Sequence, residues 1–272
     1  MLSSLIIALR EGLEAALIVG ILVAYIYKTN RHSYLKPLWL GVAGAIALSL
    51  TLGAFLTFTS VSLSERGQEY FAGTTSLIAV GFVTWMVFWM KRAAHNLKGE
   101  LESKVENAIS TGPIALAGAA FFAVLREGLE TSLFVYSNFR TVADPTGSTI
   151  GLILGFAIAI ALGYLIFKSS IKMNLSKFFK YTGVALIIVA AGVLSYGVHE
   201  FQELALLPAP DAFVWDVTSV ITKDSVIAAL LSGTIGFDTT TSWLQLLIWA
   251  GYLIAVLIPY LAKPPATKLV NR

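Results

Sequence analysis

The chain has no cysteine, which excludes disulfide bonds, thiolate metal sites and redox-active thiols. Softer metal ligands are scarce as well, since only four methionines and three histidines occur among 272 residues. Any metal ion that the protein handles therefore meets mainly oxygen ligands. Such ligands suit hard cations and do not suit Cu(I).

Charged residues are also few, at 13% of the chain against the roughly 25% typical of a soluble domain. Hydrophobic residues make up 57%, and the mean hydropathy is +0.78. This composition predicts an integral membrane protein. The first apolar run, Leu2–Tyr27, is too long for a signal peptide and is interrupted by Arg10, Glu11 and Glu14, so we expect it to be a retained span.

Seven apolar segments are long enough to cross about 30 Å of hydrocarbon, which predicts an all-α membrane protein with a single membrane domain over residues 1–272. A proline falls in a loop or near a segment end in every case, which supports these limits. The predicted segments are Leu2–Tyr27, Leu38–Phe58, Phe71–Met90, Pro113–Tyr136, Ile150–Phe167, Tyr181–Val198 and Trp243–Tyr260.

The basic residues alternate between loops in a way that predicts the orientation. The first, third and fifth loops and the C-terminal tail hold 14 Lys and Arg residues, whereas the second, fourth and sixth loops hold 3. Because positive residues concentrate on the cytoplasmic side, we expect the N-terminus outside and the C-terminus inside. A net charge of +3 distributed over short loops does not indicate nucleic-acid binding.

A five-residue motif occurs twice, as Arg10-Glu11-Gly12-Leu13-Glu14 and, 116 positions later, as Arg126-Glu127-Gly128-Leu129-Glu130. A second pattern, a small residue at every fourth position, occurs on the second and fifth segments at an offset of 110. These patterns predict two three-helix repeats, 1–100 and 113–200, and an odd number of spans inverts the second. Residues 201–242 then form an acidic external loop, and 243–261 the seventh helix. The small residues are Gly41, Ala45, Ser49 and Gly53, and Gly151, Gly155, Ala159 and Gly163.

The motif places charge where a bilayer disfavours it, at about 2.5–3.5 kcal/mol per residue on insertion scales. These six residues must therefore face one another, a protein interior or a water-filled cavity. Glu11 and Glu14 share a helix face, and Glu127 and Glu130 do the same. Four carboxylates that converge near the midplane could replace the hydration shell of a cation, while Arg10 and Arg126 limit repulsion. The alternative is a set of buried salt bridges that hold helices together.

The doubled motif in the first and fourth segments resembles the iron permease family, which includes the fungal high-affinity iron permeases and the bacterial Efe-type permease. The likeness covers nearly the whole chain and is closer to the bacterial branch. It also includes Gln68-Glu69, Thr84–Met90 and His199–Glu203. The resemblance implies inward iron transport, with Glu11, Glu14, Glu127 and Glu130 binding iron beside Arg10 and Arg126.

The same resemblance implies a multi-pass protein of the plasma or inner membrane, with iron as the substrate and no permanently bound cofactor. Family members commonly work beside a separate extracytoplasmic protein that oxidises or binds iron, and we expect such a partner. The oxidation state of the transported iron stays open at this point. Oligomerisation also stays open, because the small-residue stripes could pack within one subunit or between two.

Further acidic residues and one histidine are candidates for secondary sites at the two ends of the pathway. Candidates for cation access from outside are Glu65, Glu69, His199, Glu200 and Glu203, and candidates for a cytoplasmic exit are Glu100, Glu102 and Glu106. A charged surface helix is the simpler interpretation of the exit group. Trp85 and Trp89 are typical of an interfacial aromatic belt.

Three other functions compete with iron transport. The first is transport of another cation, such as Mn²⁺ or Pb²⁺, on the same scaffold. The second is an intramembrane metallohydrolase that uses His199 and Glu200, although position 203 lacks the second histidine of the zinc-protease motif. The third is a non-transporting scaffold built on Arg–Glu bridges. We expect a permease and not an enzyme.

Overall fold

The computed structural model describes residues 1–93, 103, 106–141, 145–168, 174–222, 225, 228, 231–232 and 235–262. Long helices dominate this part of the chain, and each predicted apolar segment lies inside one of them. The helices extend beyond the apolar segments because their polar ends continue the same hydrogen-bond pattern. They are α1 (Leu2–Lys28), α2 (Leu35–Ser62), α3 (Glu65–Ala93), α4 (Pro113–Thr141), α5 (Pro145–Phe167), α6 (Leu175–Glu203) and α7 (Trp243–Leu261).

Five of these helices, α2, α3, α5, α6 and α7, are long and apolar enough to cross a membrane. The other two, α1 and α4, contain the two copies of the charged motif. The described chain is therefore a multi-pass, mostly helical membrane protein, as the composition predicts.

The helices pack in pairs that are not neighbours in sequence: α1 lies mainly against α5, α2 against α4, and α3 against α6. Small residues make the first two pairs close. A Cβ atom at Gly41 would collide with the backbone of Ala117, and one at Gly151 would collide with the backbone of Met1. The small-residue stripes of α2 and α5 thus pack within the chain, against the two helices that carry the motif.

The motif helices α1 and α4 run in opposite directions. The Ser3 and Ser4 hydroxyls at the start of α1 donate to Asn138 Oδ1 near the end of α4, at 3.0 and 3.2 Å. Two buried apolar clusters flank the centre of this pair. One surrounds Ile7 and Phe134, and the other surrounds Leu22 and Ala120.

The loop between α6 and α7 departs from the all-α expectation. Strands β1 (Phe213–Asp216) and β2 (Thr240–Ser242) pair antiparallel, in a segment rich in residues with high β-propensity. Ser242 also caps α7 and donates to Gln202 Oε1 at 2.9 Å, which fixes the hairpin to the end of α6. Between the strands, Gly236 approaches Gly192 in the interior of α6, so the loop folds back along that helix.

Candidate metal centre

Each motif glycine allows a neighbouring helix to approach. A Cβ atom at Gly12 would lie 2.8 Å from Phe156 Cδ1 and 2.9 Å from Ala159 Cβ, both on α5. A Cβ atom at Gly128 would overlap the side chain of Ser49 on α2. The glycine in each motif therefore allows the partner helix to pack directly beside the two carboxylates.

The charges of the first motif are fully buried and paired with one another. Arg10 Nη1 donates to Glu11 Oε1 at 3.1 Å, and Arg10 Nη2 lies 3.1 Å from Glu14 Oε1. The exposed fractions of the three side chains are 1%, 3% and 1%. Taking such charges out of water is costly unless they are paired. The arginine therefore offsets the cost of burying the two carboxylates.

The second motif repeats this pairing on α4 with a more accessible arginine. Arg126 Nε donates to Glu130 Oε1 at 3.1 Å, and Arg126 Nη2 lies 3.6 Å from Glu127 Oε1. Arg126 is 29% exposed, and its Cζ lies 3.9 Å from the Trp89 ring centroid and 5.9 Å from that of Trp85.

The contact with Trp89 changes the interpretation of the two tryptophans. We expect an interfacial belt from the sequence, but Trp89 stacks on the arginine of the motif in a cation–π arrangement. The sequence places Trp85 and Trp89 four positions apart on one helix face. That spacing marks a shared face but does not reveal what covers it.

Carboxylates from both motif copies meet in the interior. One oxygen from each of Glu11, Glu14 and Glu127 lies within 4.8 Å of the other two. Glu130 stands beside this group, since it lines one small cavity together with Glu11. The structure thus brings together all four motif carboxylates.

Several of these carboxylate oxygens lack a hydrogen-bond partner although they are buried. They are Glu11 Oε2, Glu14 Oε2, Glu127 Oε2 and Glu130 Oε2; Glu14 Oε1 makes no hydrogen bond either but is in the ion pair with Arg10. An unpaired buried carboxylate oxygen is expensive, so such a group is typical of a site that binds a cation. Buried oxygen ligands of this kind match hard or borderline metal ions.

The remaining wall of the cavity is apolar. Side chains of α3 and α4 form it: Ala79, Phe82, Val83, Met86, Leu133 and Phe134. In such surroundings, where water is scarce, attraction between an ion and the carboxylates is stronger than in bulk water.

Most of the candidate residues for external access interact with one another. Glu65 is exposed in the first turn of α3, and Glu69 is half-buried one turn further along. His199 Nε2 lies 3.7 Å from Glu203 Oε1. Glu200 hydrogen-bonds with Tyr196 and also interacts electrostatically with His199 and Glu69. These three candidates therefore lie near one another.

Only one of the candidate exit residues can be placed. Glu106 is exposed, close in sequence to Ala108 and Ile109 of the apolar cluster around Leu22. Glu100 and Glu102 lie outside the described residues. Glu106 therefore has the character of a charged surface residue at the edge of that cluster.

Comparisons with known proteins agree with the doubled motif. The profile described as "Iron permease FTR1 family" matches residues 1–269. The chain is 36% identical over 270 residues to "Ferrous iron permease EfeU" of Escherichia coli O6:K15:H31, covering 98% of each chain. It is 36% identical to "Putative inactive ferrous iron permease EfeU" of Escherichia coli K12, again over 98% of each chain. A ferrous iron permease EfeU of Yersinia pestis is 35% identical over 265 residues, which is 96% of this chain and 94% of that one. No solved structure matches the chain.

Proposed function

The chain belongs to the iron permease FTR1 family, and on this premise we propose that it imports iron through the carboxylates of its two motifs. Glu11, Glu14, Glu127 and Glu130 bind the ion near the membrane midplane, and Arg10 and Arg126 balance their charge in its absence. The protein is a permease, with iron as its substrate and no permanent cofactor.

Support comes first from the convergence of Glu11, Glu14 and Glu127 across two helices. Their nearest oxygens lie within 4.8 Å of one another. Oxygens on opposite sides of a small divalent cation lie about 4.2 Å apart, since each sits about 2.1 Å from the ion. Small side-chain rotations therefore suffice to close the carboxylates around an ion.

The charge of the group favours ferrous iron as the transported species. With all four carboxylates ionised, the site and its two guanidinium groups carry a net charge of −2 in a buried environment. A divalent cation neutralises this charge, whereas a trivalent ion leaves an excess of positive charge. The names of the relatives, which specify ferrous iron, agree with this assignment.

The pairing of the arginines argues against a purely structural role. All four motif ion pairs of the described chain join residues of one helix: Arg10 pairs within α1, and Arg126 within α4. A salt bridge that held two helices together would have to join two helices. The scaffold function is therefore less well supported than a metal site.

Equivalent contacts in the two halves support the inverted repeat. Gly12 meets Ala159 as Gly128 meets Ser49, with offsets of 116 and 110 between the members. The pairs Gly41–Ala117 and Gly151–Met1 correspond in the same way. We therefore propose seven spans, formed by repeats 1–100 and 113–200, external loop 201–242 and helix 243–261, with the N-terminus outside.

Alternating access between the repeats would carry the ion inward. An inside-negative membrane potential assists, at about 2.3 kcal/mol per charge per 100 mV, or roughly 5 kcal/mol for a divalent ion. In a cytoplasmic or inner membrane, iron reaches the outer face from a separate iron-binding protein. An iron-oxidising partner, which the family resemblance also allows, would deliver Fe³⁺ and would not fit ferrous transport. Outer carboxylates and one imidazole collect it: Glu65, Glu69, His199, Glu200 and Glu203. Glu100, Glu102 and Glu106 are the candidate exit groups.

Uptake of radiolabelled iron into proteoliposomes tests this function. We expect Fe²⁺ to enter faster than Fe³⁺, and excess Mn²⁺ or Pb²⁺ to compete only weakly. Glu11→Gln and Glu127→Gln should abolish uptake, whereas Asp211→Asn, at an exposed position before β1, should retain most of it. Equal uptake of Mn²⁺ would identify a different cargo, and full uptake by Glu11→Gln would refute the site.

A further inference from the structure

The two sides of the carboxylate site differ sharply although the motifs are identical. Toward the start of α1, the hydroxyls of Ser3 and Ser4 donate to Asn138 Oδ1, and all three side chains are buried. Each of the three therefore contributes polar atoms to the interface of α1 and α4. We call Ser3, Ser4 and Asn138 the polar cluster.

On the other side of the site, the positions that correspond to the polar cluster are apolar. At the repeat offset of 116, Ser3 and Ser4 correspond to Ala119 and Ala120, and Asn138 corresponds to Leu22. Leu22 and Ala120 belong to a buried hydrophobic cluster that continues through Ile26 toward the end of α1. Several successive apolar layers thus close this side.

Along α1 and α4, one helical turn of apolar residues separates the polar cluster from the carboxylates. Ile7 lies one helical turn before Glu11, and Phe134 lies one turn after Glu130, and both belong to the same buried cluster. Phe134 also lines the cavity that contains Glu11 and Glu130. Its ring therefore borders the carboxylates directly.

We propose that the carboxylate site opens toward the polar cluster and that Phe134, together with Ile7, forms its gate. Hydroxyl and amide oxygens can replace part of the water around a cation as it passes, and a hydrophobic constriction one residue deep opens when one side chain rotates. Ile18, which corresponds to Phe134 in the other repeat, is backed by further apolar layers and does not open in the same way. The gate proposal depends on the proposed function only for the identity of the ion that passes through the gate.

The absence of cysteine allows a direct test with a thiol probe. Ala79, a small buried residue of the cavity wall, is replaced by cysteine (Ala79→Cys) in the full chain. A cationic, membrane-impermeant methanethiosulfonate is then added from the side of the polar cluster. The exposed Ser64→Cys variant, at the α2–α3 turn, identifies this side, and the exposed Ser33→Cys variant identifies the opposite side.

We expect Phe134→Ala to increase the labelling rate of Cys at position 79 at least about tenfold, because the ring that borders the carboxylates is removed and only Ile7 is left in the gate. Ile18→Ala should leave the rate unchanged. Equal acceleration by the two variants, or acceleration by Ile18→Ala alone, would overturn the gate. An unchanged rate in Phe134→Ala would overturn it as well.

Size-exclusion chromatography of each variant establishes that it is folded before labelling. If Phe134→Ala does not fold, Phe134→Val supplies a smaller opening, and a smaller increase in labelling is then expected; no increase would refute the proposal. Labelling requires no iron, and iron transport is measured separately by uptake. A failure of the gate proposal is therefore distinguishable from a failure of the proposed function.

Discussion

The guanidinium of Arg126 lies over the face of Trp89, with Cζ 3.9 Å from the ring centroid. Arg10, its counterpart, pairs with Glu11 and Glu14 and is buried completely. The two motifs are therefore identical in sequence but unequal in structure. Trp89 gives Arg126 a partner besides the two carboxylates, so this arginine can leave Glu130 without losing all of its stabilising contacts.

Replacing Trp89 with leucine should weaken iron transport by keeping Arg126 on Glu130. A desolvated cation–π contact contributes about 2 kcal/mol, and an exposed one about half of that. We expect Trp89→Leu to raise the KM for Fe²⁺ uptake roughly five- to tenfold with little change in protein level.

Trp85→Leu is the matched control, because the Trp85 ring is 5.9 Å from Arg126 and its side chain is 54% exposed. Its effect on the KM should be clearly smaller. A Trp89→Leu protein with an unchanged KM would show that the ring has no part in releasing the arginine.

The close approach of α2 and α4 at Gly128 should be sensitive to one methyl group. A Cβ at this position would overlap Ser49, so Gly128→Ala should lower the melting temperature measured in detergent. Gly118→Ala, on the same helix with no neighbouring atom within 4 Å, should leave it unchanged or raise it. A second substitution, Ser49→Gly, should restore the melting temperature of the Gly128→Ala protein. Equal melting of the two alanine variants would contradict the packing described for the motif glycine.

The sequence predicts the positions of the helices and the doubled site because both depend on local signals. Apolar length marks each helix, and the charges of the motif are too costly to face lipid. The role of Trp89 could not be predicted, since it depends on which helix lies opposite. The strand pair Phe213–Asp216 with Thr240–Ser242 could not be predicted either, because strands this short are fixed by tertiary contacts to α6.

Exchanging the charges of one motif separates a metal site from a structural salt bridge. Arg126→Glu combined with Glu130→Arg retains an ion pair four positions apart on α4. The folded protein should therefore accumulate, as fluorescence-detected size-exclusion chromatography would report. Iron uptake should be lost, because a cation replaces a ligand at position 130. Normal uptake by the exchanged protein would favour the scaffold function.

Lys91 should stabilise the end of α7. Its Nζ donates to the carbonyl oxygens of Tyr260 and Ala262 at 2.5 and 2.8 Å, and it lies over the Tyr260 ring. Lys91→Met leaves these carbonyls without their charged donor, so the melting temperature should fall by several degrees, as about 1–2 kcal/mol of lost hydrogen bonding implies. Lys36→Met, at an exposed position at the start of α2, is the control and should melt normally.

Anaerobic equilibrium binding of Fe²⁺ to the purified full chain tests the central claim most directly. The wild-type protein should bind one ion per chain. Glu14→Gln and Glu127→Gln should each weaken binding at least about tenfold, because even the loss of a residue that only hydrogen-bonds to a metal ligand lowers metal affinity by about that factor. Asp211→Asn, at an exposed position before β1, should bind as the wild type does. Unchanged Fe²⁺ affinity in both Glu14→Gln and Glu127→Gln would contradict a site formed jointly by the two motifs.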